Sequence, residues 1–500
     1  MDEPSETKQT ESPTAGPSQN DAGQLTFAPD DDDNPKRWST TRKCILSFTS
    51  ILLVFNATFA SSGPSGVLPS IREELHVGQE VASLTISVFV ISNAVGPLLW
   101  APLSEHCGRQ RIFMGTFVAY LAFNFLCAFA PNFGGLLVGR FLSGIFASST
   151  QSNTPGLLVD IWDPVQRGNV MALFSIVIFC GPALGPIVAG YLQLKKDWRW
   201  FFYVLLWLGG ASLPLVLMLP ETLPSKILRK KAARERQRGS DVSDFESQAQ
   251  FSEQSLSTLL RIALTRPWRI LIDPISLACT AYTALIYMLL YMLFAIYPLV
   301  FRQMRGWNTG LSELPLLGII VGSVIGGLGV FWMTRIDQAK AIKGHQRVPE
   351  DRLPLAMMGG ILFPISMFAF AWTAQYNSIH WIVPTLAGTL LAVSFLLISV
   401  AYLNYLADAY GPYAASALAA NAVCRAFCGA AAPLFTTQMF KALTVAGGGS
   451  LIAGVGCLLA VAPFVFFKYG EQIRRRSKFA SSIEGQLNLQ GISAKKAQDS

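Results

Sequence analysis

Two arginines each lie alone in long stretches that otherwise lack Asp, Glu, Lys and Arg. Arg140 divides the stretch 112–159, and Arg425 divides the stretch 409–440, with Asn421 one helical turn before it. If these stretches cross a bilayer, a guanidinium near its centre costs at least about 2.5–3.5 kcal/mol unless it faces a polar interior. These three residues are therefore candidates for binding a solute or exchanging a proton. Snorkelling of the arginines to the membrane surface is the alternative.

The charged residues of this chain are few and clustered. Only 14% of the 500 residues are Asp, Glu, Lys or Arg, against about 25% in soluble proteins. A bilayer core about 30 Å thick needs about 20 helical residues, so each charge-free stretch can be tested for length. The sequence predicts an all-α polytopic membrane protein with twelve transmembrane helices, at 44–71, 81–104, 112–139, 141–159, 168–194, 200–220, 274–301, 314–334, two within 353–407, 409–440 and 442–467.

The basic residues predict the orientation, because short cytoplasmic loops are enriched in Lys and Arg. With both termini cytoplasmic, 30 of the 39 Lys and Arg fall on the inner side and seven on the outer side. We therefore predict a disordered cytoplasmic tail at 1–43, a helical half at 44–220, a cytoplasmic linker at 221–266, a second half at 267–468 and a cytoplasmic tail at 469–500. The net charge of +8 then reflects this bias and requires no nucleic-acid partner.

Several other functions are disfavoured by the same sequence. The four histidines are widely separated and lie in predicted loops, which argues against a metal site. No nucleophile is paired with a base, no phosphate-binding loop is present, and no basic and aromatic module for nucleic acid is found. We expect no enzyme activity, no cofactor, no metal and no nucleic-acid partner.

The loop after the second predicted helix carries a charge motif. Residues 101–111 include Glu105, Gly108, Arg109 and Arg111, and they resemble the cytoplasmic loop signature of the major facilitator superfamily. In that signature an acidic residue, a Gly-Arg pair and a further basic residue hold two helices together. The resemblance implies a charge latch that breaks and re-forms as the two halves rock. A loop with no role beyond its positive charge is the alternative.

The fifth predicted helix is rich in glycine and proline. Gly181, Pro182, Gly185 and Gly190 lie within it, and Gly168 precedes them. The pattern resembles the antiporter motif found in exporters of the same superfamily. Glycine removes bulk and proline removes a backbone donor, so such a helix can bend and let its neighbour approach closely.

The resemblance extends over nearly the whole membrane portion. Residues 140–144 resemble the superfamily's intramembrane arginine motif, and the segments 34–38, 220–222, 266–268, 349–353 and 405–410 look like those of fungal twelve-span drug:proton antiporters. That branch includes multidrug, polyamine and secondary-metabolite exporters. The resemblance implies the major facilitator fold of two six-helix bundles, alternating access, efflux by proton antiport and a plasma-membrane location. It is also consistent with a monomer that acts on a small molecule.

The charges near the membrane narrow the substrate class. The acidic residues nearest the membrane all lie at predicted helix ends, and they are Glu80, Asp160, Glu221, Asp273, Glu313 and Asp408. The predicted membrane interior therefore offers two arginines and no carboxylate. This favours a neutral or anionic amphipathic substrate, with Tyr282, Tyr287 and Tyr291 as candidate cavity aromatics. The tyrosines are equally compatible with packing. An importer of the same superfamily and a non-transporting membrane sensor remain the alternative functions.

Overall fold

The computed structural model describes residues 18–19, 25–27, 31–237, 256–343, 348–477 and 479–480. Most of the tail predicted to be disordered, much of the predicted linker and nearly all of the C-terminal tail beyond Ser477 lie outside the described residues. In the described part, the strands β1 (Ser18–Gln19) and β2 (Leu25–Thr26) form a two-residue antiparallel pair. Almost all the remaining regular structure is helical.

The first half of the chain contains eight helices. Several transmembrane spans are composite: a 3₁₀ segment, Gly63–Val67, joins α1 to α2, and a π-helical segment, Gly96–Trp100, joins α3 to α4. Pro64 and Pro97 lie in these irregular segments, where a missing backbone donor is tolerated. The helices are α1 (Thr40–Ser62), α2 (Leu68–Leu75), α3 (Gln79–Ser92), α4 (Ala101–Cys107), α5 (Arg109–Ala128), α6 (Phe133–Ile161), α7 (Pro164–Gln193) and α8 (Arg199–Leu217).

Within the described residues, two helices of the central region and six of the second half follow. Another π-helical segment, Pro298–Met304, extends α11. The central helices are α9 (Pro224–Gln237) and α10 (Leu256–Leu271), and the later ones are α11 (Pro274–Tyr297), α12 (Thr309–Glu313), α13 (Leu317–Ile342), α14 (Leu353–Gln375), α15 (Ile382–Tyr410) and α16 (Ala414–Arg476).

The prediction of twelve spans is confirmed. Within the described residues, nine continuous helical segments are long and apolar enough to cross a membrane, and α6 is not among them. One of the nine, Ile382–Arg476, has 95 residues and contains α15 and both parts of α16. Counting these three spans separately and adding α6 gives twelve.

A sharp break divides α16 into the last two spans. Thr444 has φ 62° and ψ 171°, a conformation that a β-branched residue rarely adopts. The break is held from outside the helix, because the Gln375 side-chain oxygen accepts hydrogen bonds from the backbone N–H groups of Val445 and Ala446 at 2.9 and 3.2 Å. The N–H groups of Val445 and Ala446 lie in the first turn of the new helix, where no carbonyl of that helix can accept from them. The side-chain oxygen of Gln375 takes the place of those carbonyls.

The predicted segment boundaries differ from the helix ends by a few residues. Helix α1 begins at Thr40 rather than 44, and α16 continues to Arg476 rather than ending near 468. The predicted linker includes all of α9 and most of α10. Asp31, in the predicted tail, is buried and forms an ion pair with Lys231 of α9 at 2.8 Å, so part of the tail packs against the linker.

Candidate functional site

Arg140 lies fully buried in the first half, as the charge argument required. Its Nε donates to the carbonyl of Thr85 at 2.8 Å, and Nη2 donates to the carbonyl of Ser61 at 3.1 Å. The guanidinium also lies 4.2 Å from the ring centroid of Phe89. Nη1 is buried without a hydrogen-bond partner among the described residues. Arg140 therefore joins three helices of its own half and retains one free donor.

A hydrogen bond crosses between the two halves beside Arg140. Tyr291 of α11 donates to the hydroxyl of Ser61 at 3.0 Å, while the carbonyl of Ser61 accepts from Arg140. Tyr291 is buried and packs against Tyr287, with ring centroids 5.2 Å apart. The structure thus brings Arg140, Tyr287 and Tyr291 together at the contact between the halves.

Arg425 approaches the same tyrosines from the second half. Its guanidinium carbon lies 5.5 Å from the ring centroid of Tyr287. The Nε of Arg425 is buried without a hydrogen-bond partner among the described residues. Gly429, one turn further along α16, admits the ring of Tyr287, since a Cβ there would lie 2.8 Å from Tyr287 Cδ1. The cluster formed by Arg140, Tyr287, Tyr291 and Arg425 is called the central cluster below.

Asn421 and Tyr282 contact helices of the second half instead. Asn421 is fully buried, and its amide donates to the Thr283 hydroxyl at 2.7 Å, with Thr280 at 3.4 Å. These contacts hold α16 against α11. Tyr282 packs edge-on against Phe363 in the core of the second half. The described contacts of Tyr282 therefore support the packing interpretation that the sequence left open.

Arg109 is the centre of a charge network at one end of the first half, which we call the linker end because α9 follows it. Arg109 Nε donates to Asp160 at 2.5 Å, and its backbone N–H donates to Glu221 at 3.0 Å. Gly108 has φ 95°, and a Cβ there would clash with the Glu221 carboxylate. A glycine is therefore required at this turn. Glu221 also accepts from the backbone N–H groups of Thr222 and Leu223, both at 3.0 Å.

The other two residues of the predicted latch lie outside this network. Glu105 and Arg111 are exposed, and neither forms an ion pair with another described residue. The partners of Arg109 all belong to the first half or its end. The described network therefore fixes helices within one half, whereas the resemblance implied a latch that breaks as the halves rock.

A second network occupies the matching positions of the second half. Arg352, just before α14, contacts Asp408 at the end of α15 at 2.9 Å and Asp337 of α13 at 3.6 Å. Glu350 pairs with Arg474 near the end of α16. Arg109 and Asp160 hold the corresponding places before the third span and at the end of the fourth. The sequence interpretation missed this pairing, although the segments 349–353 and 405–410 that carry it were noted.

Removing the two acidic partners should have unequal effects on stability. The Arg109 and Asp160 side chains are only 10% and 11% exposed, whereas Asp408 is 42% exposed and Arg352 keeps Asp337 nearby. Asp160→Ala should cost about 3–5 kcal/mol because it leaves a buried charge uncompensated. Asp408→Ala should cost about 0–1 kcal/mol, as for a surface pair. Thermal unfolding in detergent tests this, and equal losses would contradict it.

Helix α7 uses its glycines against two different neighbours. A Cβ on Gly181 would clash with Thr58, and one on Gly185 would lie 2.7 Å from the Phe59 carbonyl, both in α1. The carbonyl of Pro182 accepts a hydrogen bond from Ser62 at 2.6 Å. The carbonyl oxygen of Pro182 thus obtains a hydrogen-bond donor from the neighbouring helix.

The outer glycines of the motif face the second half. A Cβ on Gly168 would clash with Thr334 of α13, and one on Gly190 would lie 2.9 Å from Glu313 Cγ in α12. Between them, Ile176 of α7 approaches Gly327 of α13 closely. Helix α7 therefore contacts the other half at both ends and in the middle.

A cavity of about 670 Å³ opens near the linker end between α1, α7 and α13. Apolar side chains such as Phe48 and Leu173 line most of it, and Arg335 supplies a positive charge. Phe48 and Leu173 are 61% and 50% exposed, so this is an open groove and not an enclosed small-molecule site. None of the residues predicted from the sequence as a solute or proton site lines this cavity.

Comparison with known proteins identifies the family. Residues 50–433 match the Major Facilitator Superfamily. The chain is 39% identical over 466 residues to the "Efflux pump FUB11" of Gibberella moniliformis, covering 93% of this chain and 78% of the relative. It is 38% identical over 467 residues to the "Major facilitator superfamily multidrug transporter mdrA" of Aspergillus fumigatus, covering 93% and 77%.

A solved structure supports the fold independently. The proton:xylose symporter XylE has a TM-score of 0.63 and 16% sequence identity, and the match covers 86% of this chain and 96% of that chain. At this identity the likeness concerns the fold alone. The predicted twelve-helix fold and the resemblance drawn from the three motifs are both confirmed. The chain belongs to the major facilitator superfamily and is an integral, multi-pass membrane transporter of small molecules, not an enzyme.

Proposed function

We propose that this chain exports a small amphipathic organic molecule, neutral or anionic, by proton antiport and alternating access. The relatives described as an efflux pump and a multidrug transporter match more than nine-tenths of the chain, which supports export. The substrate is a drug or a secondary metabolite, both of which the same scaffold can carry. The glycine pattern of α7 supports an exporter over an importer.

The observation that carries the proposal is the hydrogen bond between Tyr291 and Ser61. It joins the two halves beside a buried arginine that keeps one free donor. A rocking movement must break this contact, and a bound solute that accepts hydrogen bonds offers a replacement. The contact lies at the boundary where alternating access would exchange one set of contacts between the halves for another.

The positive charges of the central cluster support the substrate class. Arg140 and Arg425 each have a buried nitrogen without a described partner. A carboxylate, phenolate or carbonyl oxygen would satisfy these donors, whereas a cation would be repelled. We assign Arg140, Arg425, Tyr287 and Tyr291 to the substrate path, and we assign Asn421 to positioning α16.

The remaining parts have supporting roles in this proposal. Arg109, Gly108, Asp160 and Glu221 brace the linker end of the first half. Arg111 adds to the positive charge of the inner side, and Glu105 is a solvated acidic residue of the same loop. Gly168, Gly181, Pro182, Gly185 and Gly190 let α7 pack closely on both sides. The linker end is cytoplasmic, together with both termini, and the protein acts as a monomer in the plasma membrane. The two halves correspond to the predicted segments 44–220 and 267–468, with the first extended back to Thr40 and the second on to Arg476.

Mass spectrometry of the culture medium and cell extract, with and without this gene in the source organism, tests the proposal. An exporter predicts a compound that is lost from the medium and accumulates inside when the gene is deleted. That compound should then move in proteoliposomes under an imposed proton gradient. Uptake in the opposite direction would indicate an importer, and no movement of any tested solute would favour a sensor.

A further inference from the structure

Glu313 is a buried carboxylate at the boundary between the halves. It ends the short helix α12, is only 1% exposed, and its Oε2 has no hydrogen-bond partner among the described residues. The sequence placed it at a predicted helix end and outside the membrane interior, so its burial corrects the prediction that the interior holds no carboxylate. The structure instead covers it with the last turns of α7, because Gly190 leaves space for the Glu313 side chain.

The surroundings of Glu313 contain few groups that could stabilise a negative charge. The π-helical segment Pro298–Met304 carries Arg302, whose charge acts on Glu313 without forming an ion pair. The nearby end of α7 contributes Tyr191, which packs against Gly310. The 3₁₀ segments Gly63–Val67 and Leu314–Leu316 contain no titratable residue. An ionised carboxylate would thus be buried without a bonded partner, which is costly.

We propose that Glu313 is a proton-binding site that controls closure of the outer interface between α7 and α12. With a proton bound, the neutral carboxyl fits the closed interface. When the interface opens, the carboxyl reaches external water, loses its proton there and resists closing until it is protonated again. The proton is taken from the outer solution and returned to it, so this site adds no proton to the transport stoichiometry.

This inference rests on the proposed function for one point, namely that the end opposite the linker faces the outside. In that orientation, an acidic external solution favours the closed outer interface. It therefore speeds the step in which the transporter, empty of substrate, returns to the state that is closed on the outside. The other outer contacts between the halves are different in kind. Glu80 is exposed and accepts a hydrogen bond from Gln438 at 2.9 Å, so ionisation leaves it hydrated and paired.

Distance measurements between spin labels test the site without a substrate. Labels at Lys195→Cys and Gln303→Cys, both exposed, report the separation of the halves at this end. The labels are introduced into the full-length protein after its exposed and partly exposed cysteines have been replaced by serine. These cysteines are Cys44, Cys107, Cys424, Cys428 and Cys457. In the protein that keeps Glu313, a longer distance between the two labels should appear as the pH is raised from acidic to alkaline. Glu313→Gln should keep the short distance at every pH.

A matched control separates this effect from general surface charge. Asp197→Asn removes a carboxylate from the same end that is 46% exposed, and it should keep the normal pH response. A Glu313→Gln protein that opens with pH as the unsubstituted protein does, or an unsubstituted protein that never opens, would overturn the inference. Monodisperse elution of each variant excludes misfolding. Failure of proton-driven transport in proteoliposomes would instead reject the proposed function, and it would leave the distance result intact.

Discussion

Arg425→Leu should remove most transport while leaving the thermal stability of the protein nearly unchanged. Arg425 forms no hydrogen bond with another described residue, and its guanidinium contacts the aromatic ring of Tyr287 without a hydrogen bond to the hydroxyl. Its charge is therefore available to a substrate. A hydrogen bond to a charged group contributes about 1.5–3 kcal/mol, so the loss in transport should be roughly ten- to a hundredfold. Initial rates of export of the identified compound from proteoliposomes measure it.

Two comparisons make this prediction specific to the charge. Arg425→Lys keeps the positive charge and should retain part of the activity, although it loses the planar donor geometry. Arg140→Leu should lower both transport and stability, because Arg140 joins the carbonyls of Ser61 and Thr85. A fully active Arg425→Leu protein would remove Arg425 from the substrate path. An inactive Arg425→Leu protein with lowered stability would indicate a structural role instead.

Gly185→Val should destabilise the first half and abolish most transport. A Cβ at this position would lie 2.7 Å from the Phe59 carbonyl and 2.9 Å from the Gly63 nitrogen. Both are backbone atoms, one in α1 and one in the 3₁₀ segment that follows it, so no side-chain movement can relieve the contact. Overpacking of this kind typically costs about 1–3 kcal/mol, and an immovable backbone places the cost at the upper end. The unfolding temperature in detergent and the export rate measure the effect.

A second glycine provides the control for this substitution. Gly210 of α8 is exposed, and a Cβ built there meets no atom within 4 Å. Gly210→Val should leave both stability and transport close to normal, even though it adds the same side chain to a membrane helix. If the Gly185 and Gly210 variants behave alike, the close approach of α7 to α1 is not what the glycine motif provides.

The sequence predicted the helical framework well because bilayer thickness constrains it. The 55-residue stretch 353–407 had to contain two helices, and the structure ends α14 at Gln375 and begins α15 at Ile382. The division of the last two spans was harder to locate. Thr444 can begin a helix, because its hydroxyl accepts a hydrogen bond from the Gly447 N–H at 3.3 Å. The break also depends on the side-chain oxygen of Gln375, about 70 residues earlier, which accepts from the N–H groups of Val445 and Ala446.

The sequence predicted the residue types of the candidate site better than it predicted the contacts between them. The cost of a buried charge pointed correctly to a buried Arg140, because that argument needs no knowledge of neighbouring helices. The partners of Arg109 and the burial of Glu313 depend on which helix ends meet, and one sequence does not specify this. Comparing the two halves could have suggested that Asp160 and Asp408 play equivalent roles.

The charge networks have a consequence for the response of transport to salt. Each ion pair between described transmembrane residues joins groups of the same half, as Arg109 with Asp160 and Arg352 with Asp408 do. Contacts across the boundary are hydrogen bonds and apolar packing, such as Tyr291 with Ser61. Mobile ions screen exposed charges but scarcely affect buried neutral contacts. Turnover should therefore vary little with ionic strength, even though the folded halves are braced by charge.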